Sequence, residues 1–328
     1  MPKFLLLRFS SIGDIVLTTP VVRCLKQQVP GAEIHFLTRK PFEAVLRHNP
    51  YIDRLISFDK KPAEVLDELR KEQYDVVIDL HHNRRSFFLK RALARPSHSF
   101  RKLNIQKWLL VNFKWNRMPE LHIVDRYLET VKGFGVSNDG KGLDYFTSTS
   151  DEGALDKLPA SHRSGYTVIA IGAQHGTKRL PEEKIADLCK RLDRPVVLSG
   201  GKEDAQSAER IALENINVFN GCGVFTLNES AAVVKRAQAV VAHDTGMMHI
   251  AAAFKRPIIS IWGNTVPSFG MYPYYGDSEV PNRRFEVEGL TCRPCSKIGF
   301  DRCPKGHFRC MNNQDIGAIA DTVREWLR

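Results

Sequence analysis

Short apolar runs return along this chain at intervals, each followed by an amphipathic stretch, and that alternation limits the fold more than any other feature. The runs lie at 3–9, 33–38, 54–58 and 74–81, then at 166–172, 195–199, 216–219, 238–243 and 257–262. Runs this short and this apolar suit strands buried on both faces of a sheet. Segments at 62–73, 181–192, 203–213 and 226–237 read as helices. Strands alternating with helices predict parallel sheets with helices packed over them. The pattern appears twice, diluted between 137 and 165 by Ser137-Asn138-Asp139-Gly140-Lys141-Gly142 and Thr147-Ser148-Thr149-Ser150. The expectation is an α/β chain of two Rossmann-like domains, 1–150 and 151–312, with a closing helix at 313–328 that ends in Trp326-Leu327.

Composition narrows the class. A hydrophobic content of 43% over 328 residues supports real cores. No apolar run reaches the roughly 18–20 residues of a membrane span. Met1-Pro2-Lys3-Phe4-Leu5-Leu6-Leu7-Arg8 is interrupted too soon for a signal peptide and reads as the first strand. A soluble, cytoplasmic protein is expected. The net charge of +11 points to an anionic partner, either nucleic acid, a membrane surface or a phosphorylated substrate. Seven cysteines without a secretory signal are expected to be reduced.

The stretch 237–253 joins an apolar strand to an Ala-rich helix through Asp244-Thr245-Gly246. Asp244 or Thr245 can cap that helix, and Gly246 lets a ligand approach the backbone. The remaining N–H groups and the helix dipole favour an anion. Strand ends in the second half carry glycine repeatedly: Gly172, Gly200-Gly201, Gly221, Gly246 and Gly263. Ligands of open α/β sheets bind beyond such ends, so a nucleotide-type ligand on the second domain is expected.

A second junction runs from Gly172 to Glu183. Pro181, Glu182 and Glu183 fit a first helical turn, and Lys178 with Arg179 before it could clamp a diphosphate. At the N-terminus, Ser10-Ser11-Ile12-Gly13-Asp14 follows the first strand without a G-x-G-x-x-G fingerprint. Asp14 reads either as a helix cap or as a carboxylate that takes a proton from a hydroxyl nucleophile. Pro20 predicts a kink or a late start in the helix that follows. His81-His82 either lines a site or ends its strand.

Residues 84–117 hold ten Lys or Arg, Arg84 and Arg85 among them, and no Asp or Glu. Phe87, Phe88, Phe100, Trp108, Phe113 and Trp115 are interleaved. Such a patch suits single-stranded nucleic acid, an anionic membrane interface or a phosphorylated glycolipid. Cys292, Cys295, Cys303 and Cys310, with His307 among them, suit either a structural zinc or thiols packed to fix an irregular loop. Cys24, Cys189 and Cys222 read as small core residues.

Taken together, Ser10-Ser11-Ile12-Gly13-Asp14, Lys178-Arg179-Leu180-Pro181-Glu182-Glu183 and Asp244-Thr245-Gly246-Met247-Met248-His249 resemble glycosyltransferase family 9, the ADP-heptose:lipopolysaccharide heptosyltransferases. The Cys-Arg-Pro-Cys segment is similar to one in many members. The resemblance spans almost the whole chain and implies the GT-B architecture, two Rossmann-like domains with parallel sheets facing an interdomain cleft. It implies an inverting, metal-independent transfer of heptose or a related sugar from an ADP-sugar to an anionic lipopolysaccharide core acceptor, with no cofactor. Asp14 would be the general base and Lys178 the cation on the departing diphosphate. The donor residues would be Asp244, Thr245, Gly246, His249, Thr177 and Gly201, and the acceptor residues Ser11, Gly13, Arg84 and Arg85. Peripheral contact with the inner face of the inner membrane would follow from such an acceptor. One departure is Lys-Arg-Leu-Pro where many members have Lys-His/Gln-Trp-Pro, which bears on donor contact.

Two other readings are consistent with part of the pattern. One is a different GT-B nucleotide-sugar enzyme, such as a UDP-sugar epimerase. The other is a non-catalytic, basic nucleic-acid-binding protein, which the lack of an RNA- or DNA-reading motif disfavours.

Overall fold

The computed structural model describes residues 1–328. Eleven strands form two sheets, and every pairing within them is parallel. The first sheet contains β1 (Lys3–Leu7), β2 (Glu33–Arg39), β3 (Arg54–Phe58), β4 (Val76–Asp79) and β5 (Ser97–Ser99) in the order β3-β2-β1-β4-β5. The second contains β6 (Thr167–Ala170), β7 (Val196–Ser199), β8 (Val218–Asn220), β9 (Ala239–His243), β10 (Ile258–Trp262) and β11 (Asn282–Glu286). Its order is β11-β10-β9-β6-β7-β8.

The apolar runs become central strands for the reason their composition suggests. Phe4–Leu7 of β1 and all of β6, β9 and β10 are buried, as expected of strands covered by helices on both faces. Neither β5, Ser-His-Ser, nor β11, Asn-Arg-Arg-Phe-Glu, was expected. Both are edge strands, and β11 is mostly exposed, so neither carries the run of buried residues that marks a central strand.

The chain divides into two compact units. The first comprises Met1–Lys102, Leu121–Phe146 and Gly276–Ser278; the second comprises Leu103–Glu120, Thr147–Tyr275 and Glu279–Arg328. The Ser- and Gly-containing stretch after 137 is anchored to the first unit. Buried Arg23 pairs twice with Asp139 at 2.8 Å, bonds the Gly142 carbonyl at 2.8 Å and pairs with Asp144. The helical stretch that begins at Ile12 is split as Pro20 requires, into Ile12–Val16 and Thr19–Gln28, with the proline in the first turn of the second. The last helix, Ile316–Trp326, buries Ile316, Ile319, Ala320 and Val323 in the core of the second unit.

In each sheet the strand order reverses beside the first strand: β1 lies between β2 and β4, and β6 between β7 and β9. The carboxyl ends of β1 and β4, and of β6 and β9, are therefore where an open α/β sheet presents a ligand site.

Candidate active site

In the first unit, β1 gives way to Ser11 and the short helix Ile12–Val16, on which Asp14 is the third residue. Ser11 caps this helix in a reversed sense. Its hydroxyl donates to Asp14 Oδ2 at 2.8 Å, and its backbone N–H points to the same oxygen at 3.3 Å. The other carboxylate oxygen pairs with Arg8 Nη2 at 2.7 Å. Arg8 is buried, and three more of its N–H groups are engaged. It donates to the Ser10 carbonyl at 2.8 Å, the Leu80 carbonyl at 2.5 Å and the Tyr127 hydroxyl at 3.0 Å. The guanidinium thus ties the end of β1 to the end of β4, with Asp14 held on its outer side. Gly13 is buried inside the short helix.

Asp79 at the end of β4 is fully buried and organises the next loop. Oδ1 accepts the backbone N–H groups of His81 at 3.0 Å and His82 at 2.6 Å. Oδ2 accepts Ser86 Oγ at 2.8 Å and faces Lys90 Nζ at 2.9 Å. Asn83 caps the helix Arg84–Leu93, leaving Arg84 and Arg85 exposed in its first turn. His81 packs against Phe9 with the rings tilted and their centroids 4.7 Å apart, and burial with nearby Arg8 pushes its pKa down to about 3. The loops after β1 and β4 are neighbours because their strands pair, Leu7 opposite Asp79.

In the second unit the loops after β6 and β9 converge. Lys178 Nζ lies 2.6 Å from Asp244 Oδ2 and 3.1 Å from the Asp244 carbonyl oxygen. Thr265 Oγ1 donates to the same carboxylate oxygen at 2.8 Å. Thr245 occupies the cap position of the helix Gly246–Ala253, yet its hydroxyl makes no cap bond and has no partner. His249 is buried on that helix. His243 accepts the Leu180 N–H through Nε2 at 3.0 Å, so its proton resides on Nδ1. Burial and nearby Arg179 push its pKa down to about 4, and it stays neutral. The side chain of Asn264, at the end of β10, is buried with neither polar atom paired. The orphaned hydroxyl of Thr245, next in sequence to the Asp244–Lys178 pair, is costly without a ligand and useful with one.

Several expected residues take protein-internal roles. Thr177 is buried, and its side chain exchanges hydrogen bonds with the backbone of Phe300 at 2.8 and 2.9 Å. The Gly201 N–H donates to Asp204 Oδ2 at 2.9 Å. Arg179 reaches Asp204 Oδ1 at 2.7 Å, leaving Lys178 as the cation on Asp244. The strand-end glycines also make room for protein: a Cβ at Gly172 would lie 2.5 Å from Asp204 Oδ2, and one at Gly263 2.8 Å from the Thr177 carbonyl.

All seven cysteines are free thiols. Cys295 Sγ bonds the Cys292 carbonyl at 3.0 Å, Cys292 Sγ lies 3.9 Å from His307 Nε2, and Cys310 is buried. In the first unit Glu33, His35 and Glu72 converge, but Lys3 Nζ already lies 3.0 and 2.9 Å from the two carboxylates.

Comparison with known proteins decides the class. The model of glycosyltransferase family 9 (heptosyltransferase) matches residues 63–293. The chain belongs to glycosyltransferase family 9. It is 28% identical to lipopolysaccharide heptosyltransferase 1 of Campylobacter coli, over 81% of this chain and 85% of that one. Among solved structures it resembles ADP-heptose lps heptosyltransferase II of E. coli, with TM-score 0.75 and 19% identity over 99% of this chain and 98% of that one. It also resembles E. coli heptosyltransferase WaaC with ADP-2-deoxy-2-fluoro heptose, with TM-score 0.68 and 22% identity over 98% and 99% of the two chains. As a family 9 member it is a glycosyltransferase, and its two parallel-sheet units are those of the GT-B fold.

Proposed function

We propose that this family 9 enzyme transfers heptose, or a closely related sugar, from an ADP-sugar to a hydroxyl of an anionic lipopolysaccharide core, with inversion at the anomeric carbon. The observation that carries the reading is the Lys178–Asp244 pair beside the orphaned Thr245 hydroxyl, at the strand-order reversal of the second sheet. The second unit would hold the donor and the first the acceptor. Asp14 takes the proton of the acceptor hydroxyl as its oxygen bonds to C1. The bond from C1 to the phosphate oxygen breaks on the opposite face, and ADP leaves with the electron pair. Lys178 and the N–H groups at the start of the 246–253 helix meet the charge that grows on the diphosphate, without a metal-dependent step. Asp244, relieved of part of its hold on Lys178, accepts donor sugar hydroxyls.

Arg84 and Arg85, exposed and without a carboxylate in their helix turn, suit acceptor phosphates or carboxylates. The glycosyltransferases named above act on lipopolysaccharide or carry an ADP-sugar ligand, which supports this donor and acceptor. Such an acceptor is lipid-anchored, so the reading includes a cytoplasmic enzyme that works at a membrane surface. No helix here is long and apolar enough to cross one.

Parallel calorimetric titrations with ADP-heptose, ADP and UDP test the donor. Preference for the adenine nucleotides is expected. Preference for UDP would replace this reading with another nucleotide-sugar chemistry.

A further inference from the structure

We infer that the segment 104–117 is a docking surface for an anionic lipid bilayer. The helix Asn104–Phe113 buries a single residue, Leu110. Its outer side carries Ile105 and Trp108, and Phe113 and Trp115 continue it past the helix end, with exposures of 72, 55, 51 and 62%. These are not scattered residues. Phe113 lies between the two indoles, with ring centroids 5.2 Å from Trp108 and 5.4 Å from Trp115. One continuous aromatic surface faces away from the unit that carries it.

The surface is held in place. Lys114 Nζ bonds the Val111 carbonyl at 2.7 Å and the Pro294 carbonyl at 2.8 Å, which pins the turn to the second unit. Lys107 sits over the Phe269 ring at 6.0 Å. Contact therefore needs little ordering of the chain, and the ordering cost of binding is small.

Charge and side-chain chemistry choose the occupant. Residues 104–117 contain three cations, Lys107, Lys114 and Arg117, and no carboxylate, in a chain of net charge +11. Indole and phenyl rings settle at the headgroup boundary, and cations beside them are drawn to anionic lipid. A second copy of the chain would bring the same cations face to face. Nucleic-acid bases stack on aromatic rings, but Ile105, exposed on the same helix, offers them nothing and partitions readily into acyl chains. The inference rests on the lipid-anchored acceptor only for its purpose: holding the enzyme where that acceptor lies.

The test is flotation of the full chain with vesicles of phosphatidylcholine, alone or mixed with phosphatidylglycerol. The wild type is expected to float with the anionic vesicles, less so in high salt, and with a blue shift of its tryptophan emission. Trp108→Ser/Trp115→Ser is expected to lower the bound fraction about tenfold while melting temperature and ADP affinity stay unchanged. Transfer to a deacylated acceptor in solution is expected to persist in this variant. That assay separates the two readings, since absence of transfer in the wild type would count against the function and not against the docking surface. A wild type that ignores anionic vesicles, or a variant that floats equally well, would overturn the inference. So would a variant whose only change is loss of a dimer by light scattering or loss of oligonucleotide binding.

Discussion

Arg8 and Asp14 form an ion pair of 2.7 Å in which the arginine is buried and the carboxylate half-buried. The arrangement is directional. The guanidinium spends three of its other four N–H groups on the Ser10 and Leu80 carbonyls and the Tyr127 hydroxyl, which hold it in place if the helix that carries Asp14 shifts. Asp14 is aimed by a fixed cation on one oxygen and by Ser11 on the other.

Arg8→Met is therefore expected to slow transfer by about 10- to 100-fold through loss of aim. ADP affinity, which the proposed function assigns to the second unit, should be unchanged, and Arg8→Lys should recover part of the rate. Steady-state rates and ADP titrations on the same preparations check this. An equal loss of ADP affinity would show a general structural defect instead.

Lys178→Ala removes the cation that pairs with Asp244 and that the proposed mechanism sets against the departing diphosphate. ADP affinity is expected to fall about 10- to 100-fold, roughly 1.4–2.8 kcal/mol, measured by titration. Unchanged ADP binding would remove Lys178 from the diphosphate.

Thr245→Val separates stability from binding. The threonine hydroxyl is buried without a partner, so an apolar isostere should leave the unliganded protein as stable or stabilise it by up to about 1 kcal/mol. Donor affinity should fall in the same variant, because the hydroxyl is then missing where the ligand would satisfy it. Paired melting and titration experiments give the two signs. A loss of both would mean the hydroxyl already serves the folded protein.

The two sheets were legible because their central strands are apolar on both faces, and Pro20 marked where the second helix begins. The edge strands β5 and β11 lack that mark. Arg8 was missed as well: an arginine after a strand reads as a solvated end, and nothing local announces the Leu80 carbonyl or Tyr127, 72 and 119 residues away. Lys178 and Asp244 are 66 residues apart, and only the pairing of β6 with β9 brings their loops together. The strand-end glycines pointed to ligand contact, but at Gly172 and Gly263 it is other protein atoms that crowd the backbone.

Asp79 carries the loop that presents Arg84 and Arg85. Asp79→Asn keeps the shape but loses the charge opposite Lys90 and part of a four-donor site, and about 2–4 kcal/mol of stability should be lost. Urea unfolding measures it.

Two histidines with strongly lowered pKa give a pH signature. His243, held near pKa 4, and His81, near 3, stay neutral in the folded chain while their unfolded forms take up protons near 6.5. Their stabilising contribution is full above about pH 6.5 and is lost as pH falls toward the folded values. Between pH ~7.5 and ~5 the unfolding free energy should drop by on the order of 2 kcal/mol per histidine. His243→Gln should remove its share of that dependence, about half of the two-histidine total, in urea titrations at the two pH values.

The most direct measurement is a transfer reaction with ADP-heptose and a deacylated lipopolysaccharide core, read by mass and by the anomeric configuration of the new linkage. The expected result is one heptose added with configuration opposite to the donor's, and no product from Asp14→Asn although that variant binds ADP normally. Transfer that survives in Asp14→Asn, or a wild type that leaves ADP-heptose untouched while converting a UDP-sugar, would contradict the account.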